Sequence, residues 1–189
     1  MVAETVNTLP GDHAVVFYHD NELTGVVGSY LLGAIADGGV AVIVATPVHR
    51  LWVNAWLIQR GVDLAAVTSN GSYIVLDARQ TINGFVHGDW PDAAAFWNAL
   101  SPVLAAASGR KGPVRVFGEM VALLWDAGLV QSAIEVEALW NEMAKRFSFS
   151  LLCAYPTASV VAPEFSDALA QICGAHTASA GLPELATEA

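Results

Sequence analysis

Five side chains able to donate, accept or exchange protons stand near the ends of apolar runs in the sequence. They are Glu119, His49, Tyr18, His19 and Tyr155. A carboxylate, two imidazoles and two phenols can together hydrogen-bond a polar ligand or move a proton. If the apolar runs are strands that end at one edge of a sheet, these groups converge there as a candidate ligand-binding site.

The apolar runs themselves predict buried strands. Each is short, rich in β-branched or aromatic residues and without polar alternation, which is typical of a strand covered on both faces. The segments between the runs show helical spacing of apolar residues. Strands that alternate with helices imply crossover connections, hence an α/β fold with a mostly parallel sheet and helices on both faces. We predict five strands, near residues 14–18, 40–46, 73–77, 114–117 and 149–155.

A structural role is the alternative for each polar residue at a strand end. Asp20 and Asp77 precede predicted helices, where an aspartate commonly caps the helix, and we favour capping for both. Glu119 differs because Gly118 precedes it and apolar residues follow it, so we expect its carboxylate to be partly buried. An ion pair or a helix dipole explains such a carboxylate as well as a ligand contact does.

The composition favours one domain that does not bind nucleic acid. The chain has 189 residues, of which 54% are hydrophobic and only 14% charged, enough apolar material for a single large core. Its formal net charge of −10 repels a phosphate backbone over most of the surface, so we expect no direct nucleic-acid partner. The surplus of apolar residues leaves some for a surface that docks a partner.

Cysteine content and the lack of targeting signals favour the cytoplasm. Cys153 and Cys173 are too few for a disulfide framework, and neither has the spacing of a sequence-local metal site, so we expect no metal and no cofactor. Residues 1–13 lack the basic and apolar regions of a secretion signal. Turn residues divide the apolar stretch 24–48 into pieces too short to span a membrane, so we expect no membrane partner.

No catalytic motif is legible in the sequence. After the first predicted strand, a phosphate-binding loop needs a glycine-rich turn and a lysine, but the chain has Asp20 and Glu22 there. Acidic side chains at that helix start oppose phosphate binding. We therefore expect neither nucleotide binding nor enzymatic activity, and a hydrolase that uses Glu119 with a histidine is a distant alternative.

Several segments between about residue 11 and residue 176 are similar to those of one known family. The segments are GDHAVVFYHD (11–20), VAVIVATPVHR (40–50), GVD (61–63), YIVLDA (73–78), VRVFGEMVALLWDAG (114–128), EALWN (137–141) and FSLLCAYP (149–156). The pair FGEM and LCAYP within them is the most specific part. The family that they resemble is MEDS, the methanogen and methylotroph sensory domain.

The resemblance implies a RecA-like three-layer fold that lacks a working phosphate-binding loop and has its first strand inside the sheet. It also implies use as a sensor in signalling and transcription regulation, with small hydrocarbon derivatives as signals. The family supplies no agreed catalytic residues. Glu119, His49, Tyr18 and His13 are therefore candidates by position alone.

On this basis we predict an N-terminal extension at 1–10, a MEDS-like sensory domain at 11–176 and a flexible C-terminal tail at 177–189. The leading hypothesis is a stand-alone sensory domain that binds a small organic ligand. It passes the signal to a signalling or transcription-regulator protein in trans, or through a homo-oligomer. The alternative is an interaction module that docks a kinase or an anti-sigma-type regulator without a small ligand.

Overall fold

The computed structural model of the chain describes residues 10–19 and 22–181. Its strands are β1 (His13–Tyr18), β2 (Val40–Ala45), β3 (Tyr73–Asp77), β4 (Val86–His87), β5 (Trp90–Pro91), β6 (Val114–Gly118), β7 (Ser150–Pro156) and β8 (Ala178–Ala180). Its α-helices are α1 (Glu22–Ala36), α2 (Pro47–Gln59), α3 (Leu64–Ser69), α4 (Ala78–Asn83), α5 (Ala93–Ser108), α6 (Met120–Asp126), α7 (Val130–Ala144), α8 (Thr157–Val160) and α9 (Ser166–Ala175). A short 3-10 helix, Pro163–Phe165, precedes α9.

The main sheet has six strands in the order β3-β2-β6-β7-β1-β8, and every neighbouring pair is parallel. The five predicted strands are confirmed, and their ends differ from the prediction by no more than one residue. β1 lies inside the sheet, between β7 and β8, as the family resemblance implies.

The sixth strand, β8, corrects the predicted count of five. Ala178–Ala180 lie within the predicted tail, yet they pair with Ala14 to Val16 of β1. Three small residues carry no apolar run or alternation, so the sequence gives no strand signal there, and backbone pairing with β1 defines the strand. The rest of the tail, from 182 to 189, and residues 1–9 of the predicted extension lie outside the described residues.

Helices cover both faces of the sheet, so the predicted three-layer arrangement is confirmed. α1 and α2 pack on one face, where they meet strand residues such as Val16 and Ile43. α4 to α7 and α9 pack on the other face, where they meet residues such as Val15 and Val42. Because successive side chains of a strand point to opposite faces, each central strand contributes to both cores.

Several short elements lie outside the prediction. They are the helices α3 and α8, the 3-10 helix, and β4 and β5, which form an antiparallel ribbon of two residues per strand outside the main sheet. Gly88, in the turn between β4 and β5, has a φ of +66°, which a glycine adopts without strain. None of these elements changes which edge of the sheet carries the candidate residues.

The helices are short compared with a membrane span of about 20 residues. α5 has 16 residues and α1 has 15. Within residues 10–19 and 22–181, no helix is both long enough and apolar enough to cross a membrane.

Candidate functional site

Glu119 lies at the carboxyl end of β6, an interior strand, and is 4% exposed. Its backbone N–H donates to the carbonyl of Val44 at 2.9 Å. Its carboxylate faces the start of α2, where Oε2 accepts the backbone N–H of Thr46 at 2.8 Å and Oε1 lies 2.7 Å from Nδ1 of His49. The expected burial of Glu119 is confirmed, and protein donors engage both of its oxygen atoms.

The local sequence explains why His49 reaches this carboxylate. Thr46 caps α2, and Pro47, with its fixed φ, is the first residue of the helix. The hydroxyl of Thr46 accepts the backbone N–H of His49 at 3.4 Å, which fixes the first turn. An ionised carboxylate can only accept, so Nδ1 of His49 is the donor to Glu119. Glu119 therefore joins the end of β6 to the first turn of α2.

Tyr18 and His19 stand at the end of β1, in different surroundings. Tyr18 belongs to the apolar cluster beneath α1, and burial, followed by the charges of Glu119 and Asp126, raises its pKa. Its hydroxyl therefore stays protonated and can donate to a ligand. His19 is exposed, and its backbone carbonyl accepts the N–H of Glu22 at 3.1 Å at the start of α1.

Tyr155, the fifth predicted residue, lies on the opposite face of the sheet and is fully buried. Its hydroxyl donates to Oε1 of Glu137 at 2.8 Å. Burial, followed by the charge of Glu137, raises the pKa of Tyr155 well above its ordinary value. The structure thus brings Glu119 and His49 together, places Tyr18 within their electrostatic reach and separates Tyr155 from them.

Asp77 caps a helix, as the sequence analysis favours. Its Oδ1 accepts the backbone N–H of Gln80 at 3.0 Å, and its Oδ2 lies 2.7 Å from Nη2 of Arg50. An open groove of about 430 Å³ runs beside this ion pair, with Val75 and Thr81 among its lining residues. Asp20, the other predicted cap, lies outside the described residues.

A second group of polar side chains lies on the face of the sheet that α7 covers. We call it the buried cluster, and it consists of His13 of β1, Glu137 of α7, Cys153 of β7 and His176, which follows α9. One ligand atom from each residue lies within 4.8 Å of the other three. All four side chains are almost completely removed from solvent.

Glu137 is central to the buried cluster. Its Oε2 lies 3.1 Å from Nε2 of His13 and 3.2 Å from Sγ of Cys153, and its Oε1 lies 3.5 Å from Nε2 of His176. Burial alone raises the pKa of Glu137, but the two imidazoles and the thiol outweigh burial and lower it. Burial, followed by the charge of Glu137, raises the pKa of the Cys153 thiol, and burial lowers the pKa of His176.

The sequence analysis does not predict the buried cluster, because its members come from four separate elements. It names His13 only as a candidate by position. A usable signal existed at Glu137, which shares the buried face of α7 with Ala133, Val136 and Trp140 at helical spacing. A carboxylate on such a face is unfavourable without a buried partner, so its position alone points to a polar group elsewhere in the core.

Comparison with known proteins agrees with the family resemblance. A search of the curated proteins finds no match to the chain. The model of one family, described as the MEthanogen/methylotroph, DcmR Sensory domain and abbreviated MEDS, matches residues 12–177. This stretch contains every element from β1 to α9, together with both groups of polar residues. The chain therefore belongs to the MEDS family of sensory domains.

Proposed function

We propose that this chain is a sensory domain that binds a small organic ligand at the carboxyl edge of its sheet and signals through α2 to a partner regulator. Its membership of a sensory-domain family supports the sensory role. The observation that carries the rest is that one carboxylate, Glu119, holds both the Thr46 N–H and the His49 ring at the start of α2. A ligand that competes for this carboxylate therefore changes the position of α2. The proposed function is binding without catalysis.

The chemistry of this edge favours a small ligand that carries an N–H or O–H donor. Among the protein donors on Glu119, the Thr46 N–H is fixed in the backbone and the Thr46 hydroxyl lies 3.4 Å from Oε1, whereas the His49 side chain, 2.7 Å from Oε1, is 21% exposed. His49 can therefore turn toward solvent and leave Oε1 of Glu119 to the ligand. The protonated hydroxyl of Tyr18 adds a second polar partner. Short-chain alcohols and amines have this donor, and they fit the hydrocarbon derivatives that the family resemblance implies.

The outer face of α2 offers a route from the ligand to a partner. Val48, Leu51, Trp52 and Ile58 are exposed, with values from 45% for Trp52 to 66% for Leu51. Their spacing places them along one side of the helix. The other side of α2 is buried against the sheet. A shift of the first turn, where His49 leaves Glu119, therefore displaces an apolar surface that a partner can recognise.

Trp52 provides a readout of ligand binding, because its ring centroid lies 5.3 Å from that of His49. We would titrate the full chain with methylamine, methanol and butanol while recording tryptophan fluorescence. We expect a saturable change in fluorescence. Trp52→Phe should abolish the change because the reporting tryptophan is gone, and Glu119→Gln should abolish it because the ligand no longer binds. Glu142→Gln, which changes an exposed carboxylate on α7, is the matched control and should behave as the wild type.

Native mass spectrometry of the purified chain gives an independent check, because a retained ligand adds its own mass. A saturable response that persists in Glu119→Gln contradicts the proposal. So does the absence of any response to the three compounds when the native spectrum also shows no retained small molecule.

A second candidate function, protein docking without a ligand, is favoured by the exposed apolar face of α2. The charged residues of α2 are Arg50 and, at its C-terminal cap, Arg60, so the face suits an apolar partner surface with acidic residues at its rim. Leu51→Asp tests this function when light scattering and regulator binding are both measured. Loss of regulator binding by a chain that is monomeric before and after the substitution supports docking in trans. A wild-type dimer that Leu51→Asp dissociates assigns the face to self-association.

A further inference from the structure

The buried cluster has the donor set and the spacing of a metal site. Nε2 of His13 lies 3.1 Å from Oε2 of Glu137 and 3.3 Å from Sγ of Cys153, and that sulfur lies 3.2 Å from the same Oε2. Zinc–nitrogen distances of about 2.0–2.1 Å and zinc–sulfur distances of about 2.3 Å place neighbouring tetrahedral ligands about 3.3–3.6 Å apart. The fold therefore holds these three atoms close to the separations that a zinc ion requires, and a ligand atom of His176 lies within 4.8 Å of the others.

Both histidines direct Nε2 into the cluster because their Nδ1 atoms are engaged outside it. Nδ1 of His13 lies 2.9 Å from Oδ1 of Asn141, whose amide nitrogen donates to the carbonyl of Ala175 and so orients the amide. Nδ1 of His176 lies 2.6 Å from the carbonyl of Ile172. Oxygen acceptors require an N–H, so each ring carries a proton on Nδ1 and presents a lone pair at Nε2. Metal-binding histidines are held in this way by their second nitrogen.

Without a cation, the cluster has more lone pairs than protons. Both Nε2 atoms and the Glu137 carboxylate are acceptors, and the thiol of Cys153 supplies a single proton to them. Nε2 of His176 is buried and has no hydrogen-bond partner in the described part of the chain. The oxygen that faces it, Oε1 of Glu137, already accepts the hydroxyl of Tyr155. An unpaired buried acceptor that faces another acceptor is costly, and a cation between them removes the cost.

We propose that His13, Glu137, Cys153 and His176 bind Zn²⁺ in a closed four-coordinate site. Two imidazoles, a carboxylate and a thiolate in a tetrahedral arrangement are ligands that zinc accepts. Binding transfers the Cys153 proton to solvent, and the thiolate and the carboxylate then balance the charge of the ion. Four protein ligands leave no open position, so the zinc ion is structural and activates no water.

The ion joins parts of the chain that are distant in sequence. It connects β1 and β7, which are neighbours in the sheet, to α7 and to the segment that follows α9. Asn141 of α7 bonds Nδ1 of His13 and donates to the carbonyl of Ala175, so it ties β1 to the end of α9. The site is separate from the Glu119 edge, because the two groups lie on opposite faces of the sheet, and neither proposal depends on the other.

The competing explanation is a proton in place of the metal, with His13 or His176 as an imidazolium beside Glu137. Elemental mass spectrometry of the full chain, purified without a histidine tag, separates the two. We expect about one zinc ion per chain, as a four-ligand site binds. Removal of the ion with a chelator should lower the melting temperature, and added Zn²⁺ should restore it.

Cobalt identifies the ligands, because a thiolate bound to Co²⁺ gives a charge-transfer band in the near ultraviolet. The stripped chain should develop this band on titration with Co²⁺, and Cys153→Ser should abolish it. Cys173→Ser, the matched control, changes the cysteine outside the cluster and should keep the band. Asn141→Ala should weaken zinc binding about 10–100-fold, the usual effect of losing the group that orients a ligand.

Several results would overturn the proposal. A purified chain without zinc whose stripped form gives no cobalt spectrum assigns the cluster to an imidazolium–carboxylate network. A band that survives Cys153→Ser or vanishes in Cys173→Ser assigns the metal elsewhere. If Cys153→Ser does not fold, the X-ray absorption spectrum of the wild-type zinc form decides, because the proposal requires a sulfur neighbour. None of these results affects the methylamine titration, so a failure here is distinguishable from a failure at Glu119.

Discussion

Glu119 and Glu137 are both buried carboxylates beside imidazoles, but the fold holds them differently. Glu119 lies at the sheet edge, where its partners are the backbone N–H and the hydroxyl of Thr46 and the partly exposed ring of His49. Glu137 is completely buried among side chains from β1, β7 and the segment after α9. A partner at the surface can leave and be replaced, whereas partners in the core cannot move without opening the fold. The edge therefore suits reversible recognition, and the interior suits permanent binding.

The largest expected effect is at the interior carboxylate. In the chelator-stripped chain, Glu137→Ala removes the acceptor of the Tyr155 hydroxyl and of the Cys153 thiol. We expect the free energy of unfolding to fall by about 3–6 kcal/mol, because two buried donors lose a charged acceptor and each such hydrogen bond contributes about 1.5–3 kcal/mol. Urea denaturation followed by circular dichroism measures it. Glu142→Ala, on the exposed side of the same helix, should stay within about 0.5 kcal/mol of the wild type.

A loss below about 1 kcal/mol for Glu137→Ala would contradict the comparison of the two carboxylates. It would mean that Glu137 stabilises the fold no more than one ordinary hydrogen bond does.

A smaller loss is expected at the edge carboxylate. Glu119→Gln keeps the shape of the side chain but offers one acceptor oxygen to three donors, the N–H and hydroxyl of Thr46 and Nδ1 of His49. We expect the free energy of unfolding to fall by about 1–2 kcal/mol, the difference between charge-assisted and neutral hydrogen bonds. The same denaturation experiment measures it, with Glu142→Gln as the control. A loss as large as that of Glu137→Ala would show that the edge is as rigid as the interior.

The ion pair between Arg50 and Asp77 should contribute least to stability, although it lies at the same edge of the sheet. The two side chains are 24% and 20% exposed, so solvent screens the pair. We expect Arg50→Ala to cost no more than about 1 kcal/mol, and the cost should shrink as salt is added. Thermal melts at low and high ionic strength measure both quantities. A cost that salt does not change would mean that Arg50 acts through packing.

The last prediction concerns the pKa of Tyr18. Because this phenol is protonated at neutral pH in both the folded and the unfolded chain, its raised pKa does not change stability there. A phenol whose pKa is raised by folding contributes stability that is complete below the unfolded value of 10.0 and is lost as the pH rises through the folded value. Glu119→Gln removes one of the charges that raise the pKa of Tyr18, so the pKa should fall toward its ordinary value while burial still holds it above. An NMR titration of labelled tyrosine Cζ measures it. An unchanged pKa would separate Tyr18 from the Glu119 site.

The sequence predicts the strands and the edge residues because both follow from local patterns. Apolar runs mark strands that are buried on both faces, and residues just past parallel strands share one edge, which brings Glu119 near His49. Tyr155 departs from this rule because β7 continues to Pro156, so Tyr155 is still inside the strand. One residue along a strand turns a side chain to the other face, and Tyr155 consequently meets Glu137.

The buried cluster could not be predicted because it depends on long-range register. His13 meets Cys153 because β1 pairs with β7 so that Val15 lies opposite Cys153. Glu137 reaches both because α7 packs over that part of the sheet. No local pattern encodes either relation. Glu137, on the buried face of α7, indicates that a buried polar partner exists, but the sequence does not identify that partner.

The position of β1 has a consequence for the synthesis of the protein. β1 is made early, but its neighbours in the sheet are β7 and β8, and the backbone of His13 bonds to Thr177, 164 positions further along the chain. At about 5–20 residues per second, the ribosome takes on the order of 10 s to make the partners of this strand. During that time a strand whose six residues are all buried in the folded chain has no native neighbour, so the nascent chain is open to chaperones and to aggregation. The sheet can close only when nearly the whole domain has emerged.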